Sequence, residues 1–547
     1  MCFRVNIVHM RITLVFPPPA SPTYVPLGLA SLVSYLRMGV PETKVRVCDL
    51  NLTLWSDLAG QTPAGRLLWD FMRGRSGPFY DPTAYAVHQA TWGTLADQVG
   101  RLAAQAKSYL EAGRCTPQLD LLLDAWAKDI CAAAPEVVGF SVMFLDQAPL
   151  ALALALCIDH LRDKKERVPR LVLGGAAMSA LNISELLRAA PFLDAALPGE
   201  GEQALALLCQ GVPLAEIPGM RTPRFSGVVP ATEPIPPALD TVGAPDFSAF
   251  HVDRYPNPTA VLPVVLSRDC AWRRCRFCAH NFSFGGYRAK TIPQVVGELE
   301  LLMSRHGVNH FYFADQYISA ATLEQLSDEI LRRGLSLHFH LMGRPTQDLT
   351  TARLAKAAAA GCHWISWGIE TGSQRLLKLV RKGTRRDEIE RLMERSYEAG
   401  IANLMMMIFG LPTSTEEDLN QTLDLIERVY HLVAAIKTSS FVLFDGTYFA
   451  QHPERFGLAI TGRQQLLRIE DQPVHTSRLD FMVKAADGSL MPPPGPLEVS
   501  RWTQRRRWLG ELSFLETLGC EHFLLYSTLQ KAGSQDRPVR PLPRKAA

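Results

Sequence analysis

Three cysteines, Cys270, Cys275 and Cys278, lie within nine residues, directly after an apolar run at 260–267 that is typical of a β-strand. Thiolates are the protein ligands of iron–sulfur clusters, and a cubane cluster contains four irons. Three thiolates would leave one iron free to bind a small molecule. An open coordination position is what distinguishes a reactive metal site from a closed structural one. The spacing C-x4-C-x2-C therefore indicates a reactive iron–sulfur site.

Two simpler interpretations of the cysteines stay open. His280 could complete a structural zinc site, although such sites usually join two ligand pairs across a longer gap. The cysteines could also be unrelated core residues, but Arg273, Arg274 and Arg276 lie among them and argue against burial. A disulfide framework is disfavoured because the 11 cysteines are scattered over 547 residues and no secretory signal is evident.

The elements around the cysteines form six successive strand–helix units between 259 and 446. The strands are predicted at 260–267, 310–314, 337–342, 363–368, 403–409 and 437–444. Six units predict a partial (β/α)6 barrel, whose active site would lie at the carboxyl ends of the strands. The cysteines fall at that position, and other polar residues follow the later strands there: Asp315, Arg344, Glu370 and Ser373.

Residues 1–210 also alternate strands and helices, which predicts an α/β domain with a doubly wound parallel sheet. The strands are predicted at 11–16, 44–50, 137–143, 170–175 and 193–197, and 53–130 reads as an inserted helical segment. Ligands of such sheets bind at the carboxyl ends of the strands. The candidate ligand-binding residues in the loops there are Pro26, Leu27, Gly28, Ser141, Gly174, Gly175, Glu200 and Glu202.

The remaining segments are predicted from their composition. Residues 211–258 are rich in proline and are expected to be a linker. Residues 447–533 are expected to form a small, mostly helical C-terminal domain, and 534–547 a disordered tail. The net charge of +3 and the absence of long apolar runs give no indication of nucleic acid or a membrane as a partner, so a cytoplasmic protein is expected.

The cysteine loop resembles that of the radical S-adenosylmethionine (SAM) enzymes, whose usual spacing is one residue shorter, C-x3-C-x2-C. The resemblance includes Phe277, just before the last cysteine, and the run 367–377 followed by Lys382-Gly383. It implies a [4Fe–4S] cluster whose free iron binds SAM, with Phe277, Asp315, Glu370 and Ser373 as SAM contacts. Arg344 could pair with the methionine carboxylate, because a guanidinium matches a carboxylate with two hydrogen bonds.

The N-terminal loops, in their order, resemble the cobalamin-binding domain that precedes many radical SAM enzymes. The Asp-x-His-x-x-Gly motif, whose histidine binds cobalt in other cobalamin domains, is absent, and no histidine lies between His9 and His88 or between His88 and His160. The resemblance implies cobalamin without a histidine ligand, as is usual in the radical branch.

The function implied is methyl transfer to an unactivated carbon of a small molecule, natural product or peptide, through a 5′-deoxyadenosyl radical. A one-electron reductant such as flavodoxin or ferredoxin would be required. The alternatives are a cobalamin-associated radical oxidoreductase, cyclase or rearrangement enzyme and, from another class, a non-catalytic zinc-binding scaffold.

Overall fold

The computed structural model describes residues 10–77, 81–162, 169–223, 236–280, 285–485, 487–509 and 520–533, and the predicted disordered tail lies outside them. The chain forms two compact units. The first comprises Met1–Asp70, Ala90–Pro256 and Arg463–Ser477, and the second Phe71–Gln89, Asn257–Gly462 and Arg478–Ala547. None of the described helices has both the length and the apolar character that crossing a membrane requires.

The first unit contains a five-stranded parallel sheet. Its strands are β1 (Arg11–Phe16), β2 (Lys44–Asp49), β3 (Val137–Ser141), β4 (Arg170–Gly174) and β5 (Ala195–Ala196), in the order β2-β1-β3-β4-β5. The expected doubly wound fold is confirmed. The strand order reverses between β1 and β3, so the carboxyl ends of these two strands form the topological switch point.

Helices connect and flank these strands. In chain order they are α1 (Leu27–Gly39), α2 (Leu50–Gly60), α3 (Pro63–Met72), α4 (Pro82–Ala112), α5 (Pro117–Ala132), α6 (Ala148–Arg162), α7 (Ile183–Ala189) and α8 (Glu202–Cys209). In its described part, the segment 53–130 is mostly helical, as its sequence indicates. The proline-rich segment is not a free spacer within its described part, because Phe247, Phe250 and Tyr255 are buried and Asp246 pairs with Arg37 at 2.5 Å.

The second unit contains a six-stranded parallel sheet. Its strands are β6 (Val261–Val264), β9 (His310–Phe313), β10 (His338–Gly343), β11 (Cys362–Glu370), β12 (Ala402–Phe409) and β13 (Ala435–Ser440), paired in that spatial order. Two short strands, β7 (Ser267–Arg268) and β8 (Arg288–Ala289), pair with each other. In the part of the chain described, β6 and β13 are the free edges, so the sheet is the open, partial barrel that the sequence predicts.

The barrel helices alternate with the strands. They are α9 (Ile292–His306), α10 (Ala320–Arg332), α11 (Thr351–Ala359), α12 (Gln374–Leu379), α13 (Arg386–Glu398) and α14 (Glu416–Val429). Most begin at a Ser or Thr whose hydroxyl accepts a hydrogen bond from a backbone N–H of the first turn, as Ser373 does for α12.

The C-terminal region differs from the mostly helical domain expected. After β14 (Leu443–Phe444) and α15 (Tyr448–Gln451), it contains two long strands, β15 (Leu458–Ile469) and β16 (Gln472–Lys484), and a short β17 (Leu490–Met491). The helices α16 (Gly495–Leu509) and α17 (Cys520–Gly533) follow. Glu470 and Asp471 connect the long strands with positive φ angles of 44° and 65°. Such turns usually contain Asn or Gly. The Glu-Asp pair therefore gave no sequence signal for the hairpin.

Candidate functional site

The three cysteines are half-buried and lie on the loop that follows β6 and β7. Asp269 shapes the loop: its carboxylate accepts the Cys270 N–H at 2.8 Å and lies 3.6 Å from the Arg273 guanidinium. Asp269 and Arg273 have φ angles of 70° and 42°, an unusual conformation for residues other than glycine. These two left-handed residues shape the loop that contains the four-residue gap between Cys270 and Cys275.

Burial raises the pKa of two of the three thiols. It raises the pKa of Cys278 to about 12, and it also raises the pKa of Cys275. The Lys382 ammonium opposes both shifts. Without a further positive charge these thiols are neutral, whereas a bound metal deprotonates a thiol. The donors are therefore suited to a metal cluster and poorly suited to act as free nucleophiles.

Trp272, inside the cysteine loop, makes cation–π contacts with two arginines. The Arg344 guanidinium lies 3.9 Å from the centre of the indole and that of Arg274 lies 5.0 Å from it, while the indole N–H donates to the Arg381 carbonyl at 2.9 Å. Arg344 also donates to the carbonyls of Lys382 and Gly383, each at 3.1 Å. The loop, the end of β10 and the segment after α12 are thereby joined.

We expect Gly383→Ala to disrupt this contact. Gly383 has a φ of 71°, and an added Cβ would lie 2.3 Å from the Trp272 ring and 2.7 Å from the Arg344 guanidinium. The left-handed conformation and the overlap together should lower the free energy of unfolding by about 2–4 kcal/mol in a denaturant titration.

Gly334→Ala is the matched control, because Gly334 has a φ of 65° with nothing within 4 Å of the added Cβ. It should cost only about 1–2 kcal/mol, the backbone part alone. Equal losses of the free energy of unfolding in the two variants would show that the Trp272 ring moves aside at little energetic cost.

Glu370, at the end of β11, forms a buried ion pair with Lys382. The Lys382 Nζ lies 2.6 Å from a Glu370 carboxylate oxygen, and each side chain is 10% exposed. Burial alone would lower the pKa of Lys382, but Glu370 and Cys275 offset this and the pKa is raised. Glu370 has a φ of 69° at a β-bulge between β11 and β12. A charged pair on strained backbone beside the cysteines marks this position as a site rather than a surface contact.

Asp315, after β9, accepts hydrogen bonds from the residues just before the cysteine loop. Its carboxylate accepts the N–H of Leu266 at 3.0 Å and both the N–H and the hydroxyl of Ser267 at 2.6 Å. Burial raises the pKa of Asp315 to about 6, although these hydrogen bonds and Lys290 lower it. Asp315 therefore fixes the start of the loop, and its contact with SAM stays a prediction.

This pKa has a consequence for stability. Because the pKa in the folded state lies above the ordinary 3.8, the folded chain binds the Asp315 proton more tightly than the unfolded chain does. The stabilisation that results from this tighter proton binding is present below about pH 4 and is lost as the pH rises through about 6. About two pKa units correspond to about 3 kcal/mol.

Asp315→Asn removes this titration. The difference in free energy of unfolding between wild type and this variant should therefore shrink by about 3 kcal/mol between pH 4 and pH 8 in denaturant titrations. The exposed Asp97→Asn change should show no such trend. A constant difference between Asp315→Asn and wild type over this range would contradict the assigned pKa.

The remaining two predicted SAM contacts have structural partners. The Ser373 hydroxyl donates to Asp418 at 2.5 Å and caps α12, and Phe277 packs on a hydrophobic cluster that includes Val380 and Phe449. Their roles with SAM stay predictions. Lys382 and Trp272 were missed as site residues, although both lie within the segments whose resemblance was noted.

The predicted cobalamin-binding residues lie around the switch point of the first unit or at neighbouring strand ends. Pro26 precedes α1, whose first turn contains Leu27 and Gly28, and Ser141 and Gly174 end β3 and β4. Gly175 has a φ of 101°, and a Cβ there would lie 2.4 Å from the Val142 carbonyl. Glu200 lies in the loop before α8, and Glu202 is the buried first residue of that helix.

The loop after β3 exposes apolar side chains at the same edge. Met143 is 45% and Phe144 39% exposed. The rings of Phe144 and Tyr24 meet edge to face, with 6.4 Å between their centres. The buried Gln147 side chain accepts the N–H groups of both exposed residues, at 2.7 and 3.0 Å. A fixed loop with exposed apolar side chains beside glycine-containing strand ends can accept a large, partly apolar ligand. Sequence patterns did not single out Met143, Phe144 or Gln147 individually.

The donor set of the cysteine loop is three thiols, which suits an iron–sulfur cluster. Among the described residues, no three or more histidine, cysteine or carboxylate side chains converge to hold a single metal ion. A cubane cluster needs no such convergence, because its cysteines bind different irons.

Comparison with known proteins supports this assignment. Residues 264–426 match the model of the Radical SAM superfamily. The chain is 28% identical over 343 residues to the anaerobic magnesium-protoporphyrin IX monomethyl ester cyclase of Rubrivivax gelatinosus; the match covers 58% of this chain and 60% of that protein. The chain thus spans less than two thirds of the length of that relative.

Two solved structures share the fold over most of the chain. The cobalamin-dependent SAM radical enzyme OxsB, with aqua-cobalamin bound, superposes with a TM-score of 0.65 at 17% identity, covering 92% of this chain and 68% of OxsB. The radical SAM methyltransferase TsrM from Kitasatospora setae, with cobalamin and a [4Fe–4S] cluster bound, gives 0.57 at 19% identity, covering 84% and 82%.

The predictions of the family and the fold class are confirmed. The cluster and SAM are the cofactors of the superfamily whose model spans the cysteine loop, and both solved proteins hold cobalamin. Residues 264–426 are therefore a radical SAM domain, and the chain has the fold of the cobalamin-dependent radical SAM enzymes OxsB and TsrM.

Proposed function

We propose that the chain is a cobalamin-dependent radical SAM methyltransferase that acts on an unactivated carbon of a small molecule or peptide. The observation that carries the proposal is the presence in one chain of two parallel sheets that each have candidate cofactor-binding residues at their strand ends. In one sheet these residues are those of the cysteine loop at the carboxyl end of the partial barrel. In the other they lie at the switch point of the first unit, with its fixed apolar loop.

Cys270, Cys275 and Cys278 would hold the cluster, and Met143, Phe144 and the strand-end residues of the first unit would contact cobalamin. When bound, the cluster and SAM supply a carbon-centred radical that removes a hydrogen atom from the substrate, and cobalamin supplies a transferable methyl group. The protein's own task is to position these groups and to exclude water around them.

The SAM contacts would come from the polar residues around the cysteine loop. Arg344 is oriented by its stack on Trp272 and by two carbonyls, so its remaining N–H groups can bind the SAM carboxylate. Glu370 would accept from a ribose or amino group while Lys382 stabilises its charge. Ser373 and Asp315 would act mainly by fixing α12 and the loop.

The substrate would lie against one face of the barrel sheet. Tyr312 stacks on His340 at 5.1 Å with an interplanar angle of 12°, and the His340 Nε2 lies 2.9 Å from the Ser366 hydroxyl. The lowered pKa of His340, about 3, results from burial and from the Lys437 charge. His340 is therefore neutral at physiological pH, and it offers this face a fixed polar group.

A cyclase or oxidoreductase is the second candidate, and the similarity to the Rubrivivax gelatinosus cyclase favours it. The superfamily match spans the cysteine loop and disfavours a zinc scaffold.

The test uses full-length protein reconstituted anaerobically with iron, sulfide and hydroxocobalamin, then supplied with SAM and dithionite. We expect a [4Fe–4S] electron paramagnetic resonance signal, retained cobalamin and 5′-deoxyadenosine. We also expect S-adenosylhomocysteine that forms only when cobalamin is present. 5′-Deoxyadenosine without cobalamin-dependent S-adenosylhomocysteine would favour the second candidate over methyl transfer.

A further inference from the structure

The strand register defines which side chains share the face of the barrel sheet on which the substrate would lie. Directly paired residues of neighbouring parallel strands point to the same side of a sheet. From β9 to β13 the pairs place these residues on the face: Tyr312, His340, Met342, Ser366, Met406 and Lys437. Residues that alternate with them, such as Phe313, Leu341 and Met405, are fully buried on the other side.

The helix α17 covers the amino-terminal part of this face. It packs against β9, β10 and β11, and the Thr528 hydroxyl lies 3.3 Å from the His310 Nε2. His310 is two residues before Tyr312 on β9 and therefore lies on the same face. Tyr312, Met406 and Lys437 are half-exposed. The accessible part of the face is thus the part nearer the carboxyl ends of the strands, which suits a compact ligand.

His340 supplies this face with a hydrogen-bonding atom that is not yet used. The side chain is fully buried, its Nε2 lies 2.9 Å from the Ser366 hydroxyl, and the Tyr312 ring stacks on it. Its Nδ1 is buried and makes no hydrogen bond within the described part of the chain. A buried polar atom without a partner is costly. A ligand that offers a hydrogen-bonding group at this point would remove that cost.

Lys437 supplies the positive charge of the face. No other Lys or Arg lies on this side of the described strands β9 to β13. Burial and then the Lys437 charge lower the pKa of His340 to about 3, so the charge acts across the face. Glu370, at the end of β11, is already paired with Lys382. A ligand on this face therefore meets a cation on one side and a neutral imidazole on the other.

The separation of the two polar positions limits the size of the ligand. β10 and β13 are three strands apart, which corresponds to about 14 Å between the backbones at about 4.8 Å per strand. The side chains of His340 and Lys437 shorten this gap, and the thioethers of Met342 and Met406 lie between them. A two-ring molecule is of this size, and its apolar body would pack on the methionines.

The charge of the ligand follows from the single lysine. Phosphate groups are typically bound by several cations or by clusters of backbone N–H groups. One ammonium matches the single negative charge of a carboxylate. The face therefore favours a carboxylic acid over a phosphate ester.

We propose that Lys437 and His340 select a small, largely apolar carboxylic acid as the substrate. The carboxylate pairs with the Lys437 ammonium, the body of the acid packs on Met342 and Met406, and a second polar group bonds to the His340 Nδ1. The inference rests on the proposed function for the position of the substrate on this face. It concerns binding alone and requires no chemical step.

The test measures the binding of three probes by equilibrium dialysis. Full-length protein is reconstituted with the cluster and cobalamin and saturated with SAM, without a reductant. The probes are 6-hydroxy-2-naphthoate, the corresponding amide 6-hydroxy-2-naphthamide, and 2-naphthoate, which lacks the hydroxyl. Wild type should bind 6-hydroxy-2-naphthoate at least about tenfold more tightly than the amide, because only the acid can pair with Lys437. It should bind 2-naphthoate about threefold more weakly than the hydroxy acid.

Three variants of the two residues separate their roles. Lys437→Met should weaken binding of the hydroxy acid at least about tenfold and change binding of the amide by less than about twofold. Lys437→Arg should keep the preference for the acid. His340→Phe keeps a ring beside Tyr312 and should remove only the gain that the hydroxyl gives. The matched control is Lys484→Met, which removes an exposed lysine at the end of β16 and should bind all probes as wild type does.

Equal affinity of wild type for the acid and the amide overturns the proposal, as does a failure to bind the hydroxy acid at millimolar concentration. Tighter binding of 2-naphthyl phosphate than of 2-naphthoate would assign Lys437 to a phosphate instead. If His340→Phe loses iron, the difference between the two naphthoates in wild type decides its part, and an absent difference refutes it. Wild type that binds the acid yet forms no cobalamin-dependent S-adenosylhomocysteine would sink the proposed methyl transfer and leave the selection of an acid intact.

Discussion

Cys275→Ala is expected to lose the iron–sulfur cluster and, with it, all measurable cleavage of SAM. Cys275 is the middle cysteine of the loop, and its neighbours Lys382 and Glu370 surround it with charge. A cubane cluster needs its protein thiolates, and two remaining thiols should not retain it. We expect the iron content of the variant to fall from about four atoms per chain to a small fraction of that, and 5′-deoxyadenosine formation to fall at least about 1,000-fold.

The control for this prediction is Cys131→Ala, which removes another half-buried thiol, on α5 of the first unit. It should keep its iron and its activity, because this thiol lies outside the loop. Iron and sulfide analysis, the visible spectrum and product quantification together make the comparison. Full SAM cleavage in Cys275→Ala would remove this cysteine from the cluster and with it the assignment of the loop.

Hydrophobic patterning was sufficient for the framework of both units. The strands of the two sheets are apolar runs such as Arg11–Phe16 and Ala402–Phe409, and their buried residues follow the pattern in the sequence. Parallel strands that alternate with helices leave few arrangements, because crossover connections are right-handed. The position of the cysteines at the carboxyl end followed from this framework alone.

The details of the site depend on contacts between distant residues, which local patterns do not encode. Trp272 contacts Arg344, and Glu370 contacts Lys382, only because three chain segments meet at the strand ends. The sequence placed Glu370 and Arg344 at the correct end of the barrel but could not show which cation balances which carboxylate. The hairpin β15–β16 was missed for a local reason, since its turn is formed by Glu470 and Asp471 in place of Asn and Gly.

Lys382→Met is expected to be strongly destabilising, because it leaves the Glu370 carboxylate buried without its partner. The pair is separated by 2.6 Å with both side chains 10% exposed, and removing one member of a buried pair typically costs about 3–5 kcal/mol. Methionine retains most of the volume of the lysine chain, so the loss would report charge and not packing. Denaturant titration of the variant protein gives the free energy of unfolding.

Two further variants separate the pair from its surroundings. Glu370→Gln/Lys382→Met removes both charges and should recover all but about 1–2 kcal/mol, since neutral replacement of a buried pair is often tolerated. Lys356→Met removes a cation whose partners Glu324 and Asp328 lie at the surface, and it should cost much less than Lys382→Met, because solvent screens exposed ion pairs. If Lys382→Met costs no more than Lys356→Met, Glu370 is not held as a buried charge.

The double variant should still fold yet bind SAM at least about tenfold more weakly, because a neutral amide cannot replace the Glu370 carboxylate as a charged acceptor. Wild-type SAM affinity in that folded double variant would assign the pair to scaffolding alone.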